Sequence, residues 1–379
     1  MKKYDVIIVG ACTAGTYLSK LLAERGLKVL VIDKDKEENL SKRLDIFHFT
    51  TQSFKDFHLE PVKEGDEAFV RQFNLGYAKS ALNQHPKKSF LDVTVMHLPL
   101  FIKRLRLEAM SKGVTFMFST AFSALTYGKN HRINGIKDIT GETYEARLVV
   151  DASGIASVVR KSMKDPFIET FDIGPRDKFY VLLKYVELMN PEEKVEISTG
   201  WPYFKGWIAP QHAEHGAIVG GGANLSYEYA RKCMQTFESH IPLPKYRLQY
   251  EEAGCTPYRR PPFSFVTDGF LVIGDAACLT KPLNGEGITS AWVQCTPAVS
   301  IIAEALKDGG NPTKEALWKI NTLYQRGEGA EYAGQRALLV GAVDMSMKDN
   351  DYMFEKSIVF TSDDEEVKGS VMGKLLLGV

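Results

Sequence analysis

An α/β chain that also carries a separate antiparallel sheet is the predicted fold class, and three observations predict it. First, Tyr4-Asp5-Val6-Ile7-Ile8-Val9 is a β-branched apolar run that passes directly into Gly10-Ala11-Cys12-Thr13-Ala14-Gly15, a buried central strand entering a glycine turn. Second, two later apolar strands also end in turns holding an acid and a glycine, Asp151-Ala152-Ser153-Gly154 and Gly274-Asp275-Ala276-Ala277. Third, residues 166–264 break into strand-like pieces separated by turns, which suits an antiparallel layer better than a succession of βαβ units.

The N-terminal element can be read residue by residue. Ala14, Tyr17, Leu18, Leu21 and Leu22 recur at helical spacing until Gly26, and Val29-Leu30-Val31-Ile32 returns as a strand ending at Asp33. This strand–turn–helix–strand–acid unit has the length of a dinucleotide-binding βαβ. In such a unit the turn amides and helix N-terminus face a pyrophosphate, and the acid accepts from a ribose hydroxyl. The other reading is an α/β unit whose turn binds nothing. Cys12 stands where G-x-G-x-x-G has its middle glycine, so its Cβ and sulfur are expected to displace the phosphates or shift the loop. Its place at a helix N-terminus also predicts a lowered thiol pKa.

Composition excludes several classes. The 379 residues suffice for a well-buried core in two lobes. Lys+Arg and Asp+Glu are equal at 47 each, so no basic field argues for nucleic acid. Cys12, Cys233, Cys255, Cys278 and Cys295 are widely spaced without a C-x-x-C; they read as reduced thiols of a cytoplasmic protein, with no disulfide framework and no metal site. The first strand begins by residue 4, which leaves no room for a signal peptide, and no apolar run approaches the roughly 20 residues of a membrane span.

Along the chain, residues 34–42 are charged and loop-like, and residues 65–96 alternate poorly until a strand at 91–96. Pro99 opens a helix to Met110 that Gly113 ends, and Val114–Phe118 is a strand. Arg132–Asp138 and Thr143–Val150 form a small meander that runs into the Asp151 turn and a short helix holding Arg160. Strand-like pieces follow at 179–188, 194–198, 203–209 and 217–221, then a helix over Tyr227–His240 and a return strand at 248–258. The aromatic stretch Trp201–Pro210 either walls a pocket for an apolar or flat substrate, with Tyr203, Trp207 and Pro210 as its lining, or is ordinary sheet packing.

The last core strand, Gly269–Ile273, meets Gly274-Asp275, then Pro282-Leu283-Asn284-Gly285-Glu286-Gly287-Ile288 and an apolar helix through Leu306. Asp275 can accept from a sugar-chain hydroxyl, and the amides of Gly285 to Ile288 can donate to an anion or a polarised carbonyl. From Asn311 the pattern is helical, with Thr313 as a cap. The apolar end, Gly373–Val379, is either core cover or a contact with a membrane surface or partner.

Together the turn at 10–15, the D-A-S-G turn with Arg160, and G-D-A-A…P-L-N-G-E-G-I at 274–288 resemble the three FAD motifs of p-hydroxybenzoate-hydroxylase-like flavoproteins. Within that superfamily they most resemble the geranylgeranyl reductase family, which saturates C=C bonds of isoprenoid chains. The resemblance implies a Rossmann-like FAD-binding domain over 1–80, 97–165 and 265–310. It also implies an inserted antiparallel-sheet substrate domain over 81–96 and 166–264, and a C-terminal helical segment over 311–379. It places Gly10, Cys12, Ala14, Gly15 and Asp33 at the ADP half of FAD and Asp151 and Gly154 near the pyrophosphate, while Arg43 either contacts a phosphate or the flavin edge or is simply solvated. Gly274, Asp275 and Pro282 would serve the phosphate–ribityl region, and Gly285, Gly287 and Ile288 the flavin O2/N1 edge. It implies a hydrophobic or lipid substrate, NAD(P)H or a redox protein as electron donor, and a cytoplasmic enzyme with peripheral membrane contact.

This chain departs from the family pattern at Cys12, at Ser41-Lys42-Arg43-Leu44, at Leu98, and in Lys205-Gly206-Trp207-Ile208-Ala209-Pro210, which keeps only Trp and Pro of the substrate motif. No catalytic residue is assigned, although Lys79 and Lys205 are candidates. Two other readings stand beside the reductase: a flavin monooxygenase or halogenase on the same scaffold, and a flavin-binding protein without catalysis.

Overall fold

The computed structural model describes residues 3–41, 46–79, 87–169, 171–190, 197–200, 205–210, 215–282, 285–342 and 346–356. Arg43, Tyr203, Leu283, Asn284 and the apolar end 373–379 lie outside the described residues. In order, the chain forms β1 (Lys3–Val9), α1 (Thr13–Ala23), β2 (Val29–Ile32), β3 (Ile46–Thr50), α2 (Thr51–Asp56), β4 (Phe69–Lys79), β5 (Lys87–His97) and α3 (Leu98–Ser111). Next come β6 (Thr115–Met117), β7 (Phe122–Tyr127), β8 (Ile133–Asp138), β9 (Thr143–Asp151), α4 (Val158–Lys161), β10 (Lys178–Leu188), β11 (Ile197–Gly200), β12 (Lys205–Pro210) and β13 (Gly216–Asn224). The remainder is α5 (Tyr227–His240), β14 (Tyr246–Pro257), β15 (Val266–Thr267), β16 (Phe270–Val272), α6 (Ile288–Leu306), α7 (Lys314–Leu317), α8 (Lys319–Arg326), α9 (Glu328–Ala342) and α10 (Met347–Glu355).

Two compact units result. The first comprises Met1–Lys42, Pro99–Ile173 and Pro257–Tyr332; the second comprises Arg43–Leu98, Gly174–Thr256 and Ala333–Val379. The sequence reading placed residues 43–80 with the nucleotide lobe, yet β3 and β4 hydrogen-bond into the second unit's sheet. It also placed 311–332 in a separate helical segment. There α7 and α8 instead pack on α6 in the first unit, where Asn321 Oδ1 accepts the Phe265 amide at 2.8 Å.

The first unit is built on a sheet of order β15-β16-β9-β1-β2-β6, with β8 on β9 and β7 on β8. Val6, Ile7, Ile8 and every residue of β2 are buried, as expected for parallel strands covered on both faces. The register matters most for function. Val9 pairs with both Ile32 and Asp151, and Asp151 pairs with Val272. The carboxyl ends of β1, β9 and β16 therefore lie in one row, and the three turns emerge side by side where ligands of open α/β sheets bind.

At the rim of this sheet, Asp138 closes the β8–β9 turn. It is buried, and its carboxylate accepts from the Thr140 amide and hydroxyl, the Glu142 amide and the Tyr144 hydroxyl. Burial opposes its charge, but these donors hold the carboxyl below the usual range. Because the native pKa is the lower one, its contribution is complete above the unfolded value of about 3.9. That contribution disappears as pH falls through the native value. Asp138→Ala should cost about 1–3 kcal/mol by leaving buried donors without an acceptor. The difference from wild type should shrink in urea titrations at progressively lower pH, and a difference constant down to acid unfolding would refute this assignment.

The second unit is a sheet of order β14-β10-β13-β12-β11-β4-β5-β3. The β4–β5 pairing shifts register between Phe69 and Arg71 and again between Phe73 and Leu75. Bulges of this kind break period-two alternation, which is why residues 65–96 show so little of it. Helix α5, capped by Ser226 accepting the Tyr229 amide, covers one face of the sheet through Ala230, Met234 and Phe237. The opposite face carries Val181, Leu183, Tyr185 and Ile218, with Phe179 and Trp207 packed on them. Gly220-Gly221-Gly222 lies within β13, and its glycines serve both faces. A Cβ at Gly220 would collide with the Trp207 indole and one at Gly222 with the Phe179 ring, whereas one at Gly221 would press on Met234 at 3.0 Å.

Candidate functional site

The first turn is held by backbone geometry. Gly10 has φ +114°, and its N–H donates to the Ile32 carbonyl at 2.8 Å. A Cβ there would overlap the Ala152 carbonyl oxygen, and one at Gly15 would overlap the Gly10 carbonyl. Both positions therefore require glycine, the first for conformation and approach, the second for helix-to-turn packing. Asp33 Oδ2 accepts the Ala11 amide at 2.8 Å and Oδ1 the Asp35 amide at 2.9 Å. Each oxygen keeps a lone pair for a further donor. Thr16 Oγ1 donates to the Ala11 carbonyl at 2.7 Å, and the Trp292 indole of α6 donates to the Thr13 carbonyl at 3.2 Å.

Cys12 differs from Gly10 in kind. Its φ of −84° and ψ of −159° are extended backbone open to any residue, so the cysteine leaves the turn unstrained. Its Sγ shares a hydrogen bond with Ser41 Oγ at 3.0 Å. The expected lowering of its pKa is not found. The residue as a whole is exposed, but the protein packed around its sulfur desolvates it; that is the main effect, and with the charges of Asp33 and Asp275 it outweighs the Ser41 and Thr13 hydrogen bonds and raises the thiol. In FAD-free protein, Cys12 should alkylate with iodoacetamide more slowly than free cysteine at neutral pH, with a rate–pH midpoint above the free thiol's. Peptide mass spectrometry would follow it, and equal or faster alkylation would refute the assignment.

The second turn is internally satisfied. Asp151 is fully buried; its Oδ1 accepts the Ser153 amide and hydroxyl, and its Oδ2 accepts the Arg160 amide at 2.7 Å. Burial raises its carboxyl despite these donors. Asp151 thus shapes the turn from below. Gly154, at φ +66°, faces open space, since a Cβ there would meet nothing within 4 Å.

Arg160, also fully buried, joins the second turn to the third. Its Nε donates to the Ala276 carbonyl at 2.9 Å and its Nη1 to the Glu169 carbonyl at 2.6 Å, while the guanidinium lies over the Phe171 ring at 4.2 Å. Ser157 Oγ donates to the same Ala276 carbonyl at 3.1 Å.

The third turn packs back onto the first. A Cβ at Gly274 would lie 3.1 Å from that of Ala14 and 3.7 Å from that of Ala291, so small residues at 14 and 291 let the turn approach α1 and α6. Asp275 is half-buried. Its Oδ1 accepts the Thr280 hydroxyl at 2.6 Å, and burial raises its carboxyl against that bond. Its other oxygen makes no hydrogen bond among the described residues. Of the amides expected to face a ligand, Gly285 N–H instead donates to the Lys281 carbonyl at 3.0 Å. Gly287 is the N-cap of α6 and stands so close to Thr280 that a Cβ would lie 2.7 Å from its hydroxyl. Pro282 is buried beside Lys281. Thr289 Oγ1, in the first turn of α6, is buried without a hydrogen-bond partner.

These features fit a dinucleotide. Open space at Gly154 and Gly285, an Asp275 oxygen that makes no hydrogen bond among the described residues, the Thr289 hydroxyl and two helix N-termini offer donors and a hydroxyl acceptor of the kinds a dinucleotide needs. Thr280, Ser157 and Thr289 had no signal in the sequence, because hydroxyl residues in turns are common for local reasons. Lys79, Lys205, Trp207 and Pro210 belong to the second unit, on β4 and β12; Trp207 is half-buried over Gly220.

Residues 3–222 match the family described as FAD binding domain. The whole chain aligns at 24% identity with the digeranylgeranylglycerophospholipid reductase of Sulfolobus acidocaldarius, spanning 85% of that protein. It is similar in structure to a geranylgeranyl bacteriochlorophyll reductase-like protein from Thermoplasma acidophilum, with a TM-score of 0.85 at 18% identity, covering 100% of this chain and 96% of the other. A flavin-dependent brominase is also similar, with a TM-score of 0.72 at 16% identity over 99% of this chain and 93% of the other. The expected α/β FAD-binding fold with an antiparallel sheet and C-terminal helices is the one found.

Proposed function

For a chain that belongs to the FAD binding domain family, as a FAD-dependent oxidoreductase of the geranylgeranyl reductase type, we propose reduction of C=C bonds in a prenyl or other hydrophobic chain. Reduced FAD, when bound, would supply the hydride and be oxidised by two electrons, a proton would complete the saturated bond, and NAD(P)H or a redox protein would return the two electrons to the flavin.

The residues of the first unit hold the cofactor. Ala14 and Gly15 amides at the α1 N-terminus receive the diphosphate, and Asp33 accepts from the ribose. Asp275 accepts a ribityl hydroxyl with its open oxygen. Gly287 and Ile288 amides at the α6 N-terminus meet negative charge at the flavin edge, the fixed-dipole stabilisation that a charge-shifting reaction needs. The observation that carries the substrate class is the sheet face opposite α5. Phe179, Val181, Leu183, Tyr185, Trp207 and Ile218 form an apolar cluster on it, of which Phe179 and Trp207 are only partly buried, and glycines at 220 and 222 bed these two rings. Such a surface recognises hydrocarbon by area and shape. No helix among the described residues is long and apolar enough to cross a membrane, and we place the lipid encounter at the membrane periphery.

The test is anaerobic. The FAD-loaded protein, photoreduced under argon, should reoxidise when mixed with a geranylgeranyl-bearing lipid and yield the saturated chain by mass spectrometry. Reoxidation by oxygen alone would replace this reading with a monooxygenase or halogenase. A purified protein that cannot be reconstituted with FAD would mean a scaffold without catalysis.

A further inference from the structure

Lys281 opens the loop that leads into α6, and it is almost fully buried. Its side chain is 9% exposed, and its ammonium lies 3.2 Å from Glu286, 3.0 Å from Glu328 and 3.0 Å from Glu331. A buried cation requires counter-charge, but one carboxylate would suffice. Three converge here, from two separate elements: Glu286 lies just before the Gly287 cap of α6, while Glu328 and Glu331 form the first turn of α9.

The backbone closes the same loop. Lys281 N–H donates to the Glu286 carbonyl, and Gly285 N–H donates to the Lys281 carbonyl, both at 3.0 Å. One residue earlier, Thr280 donates to Asp275 and abuts Gly287. Thus Asp275, Thr280, Lys281, Glu286 and Gly287 form one connected frame, and Lys281 ties that frame to α9. Burial works against its charge, yet the carboxylates hold it above the ordinary lysine range, so it stays a cation at any working pH.

We propose that Lys281 is a positioning residue: by tying the Glu286 loop to Glu328 and Glu331 of α9 it fixes the α6 N-terminal amides where they meet the flavin. Its substitution should therefore change the cofactor's binding and electronics, beyond any change in fold. This inference rests on the cofactor placement given above, and the measurements separate the two.

In Lys281→Met, the FAD dissociation constant should rise by about tenfold or more, the scale on which displaced positioning groups act. The bound flavin's midpoint potential should become more negative by about 30 mV, which is tenfold for a two-electron couple. Lys281→Arg, which keeps the charge, should recover most of both changes. Glu286→Gln, which weakens the grip but leaves α9 alone, should shift both in the same direction by less. Thermal unfolding of the FAD-free proteins supplies the control for folding. A Lys281→Met protein with lowered melting temperature but wild-type FAD affinity and potential would overturn the inference and leave Lys281 as a structural tie. If Asp275→Ala also binds FAD as tightly as wild type, the cofactor placement itself is wrong.

Discussion

Gly10→Ala should yield a protein that purifies without flavin and has lost a large share of its stability. Two costs coincide at this residue. Its φ of +114° is a region that L-residues avoid, and the added methyl would overlap the Ala152 carbonyl, which lies in the row where β1 and β9 end together. Backbone strain of about 1–3 kcal/mol and overpacking of about 1–3 kcal/mol sum to about 2–6 kcal/mol, against a whole-domain stability of about 5–15 kcal/mol. Relief would require the first two turns to separate, which on the cofactor placement proposed above would weaken FAD binding. Gly154→Ala is the internal control. Its φ is also positive, but a Cβ there meets nothing within 4 Å, so only the conformational cost of about 1–2 kcal/mol applies. Urea unfolding of the flavin-free proteins should rank the two variants clearly. Equal effects would show that collision with Ala152 is unimportant.

Arg160→Met should be comparably severe by a different route. The methionine retains the hydrophobic stem but removes the donors to the Ala276 and Glu169 carbonyls and the cation beside buried Asp151. Truncating one member of a buried charged network costs about 3–5 kcal/mol, because what remains is desolvated and unpaired. Here the loss also detaches the Asp151 turn from the Asp275 turn, so flavin retention should fall along with the urea midpoint. Arg160→Lys should not restore the protein, since one ammonium cannot reach two carbonyls that a planar fork addresses from separate nitrogens. Wild-type flavin content in Arg160→Met would mean that Ser157, which also donates to Ala276, suffices to join the turns.

Much of this was legible in the chain. The β1–α1–β2 unit could be read because a central parallel strand must be apolar on both faces and its turn must hold glycine, and both constraints act within a few residues. Tyr227–His240 matches α5 at both ends, and the end of the last long apolar helix at Leu306 matches α6, for a similar reason, since caps and periodicity are local. The β4–β5 hairpin was obscured because its bulges move side chains between faces, and the pairing of β3 and β4 with the second sheet depends on partners far away in sequence.

What the sequence by itself determined is the set of parts: a glycine turn after each of three apolar strands, an acid within two of those turns and a third acid at the end of β2, and the chemistry those residue types can offer. The tertiary structure alone decided how each acid is used. Asp151 is consumed by its own turn, Asp33 is shared with backbone amides, and Asp275 keeps an oxygen open among the described residues. It likewise decided that Cys12 carries a raised thiol, and that Lys281 holds three glutamates. Hydrogen-bond saturation and desolvation are set by which neighbours arrive from elsewhere in the chain, and that depends on the register in which Val9, Asp151 and Val272 come to lie in one row.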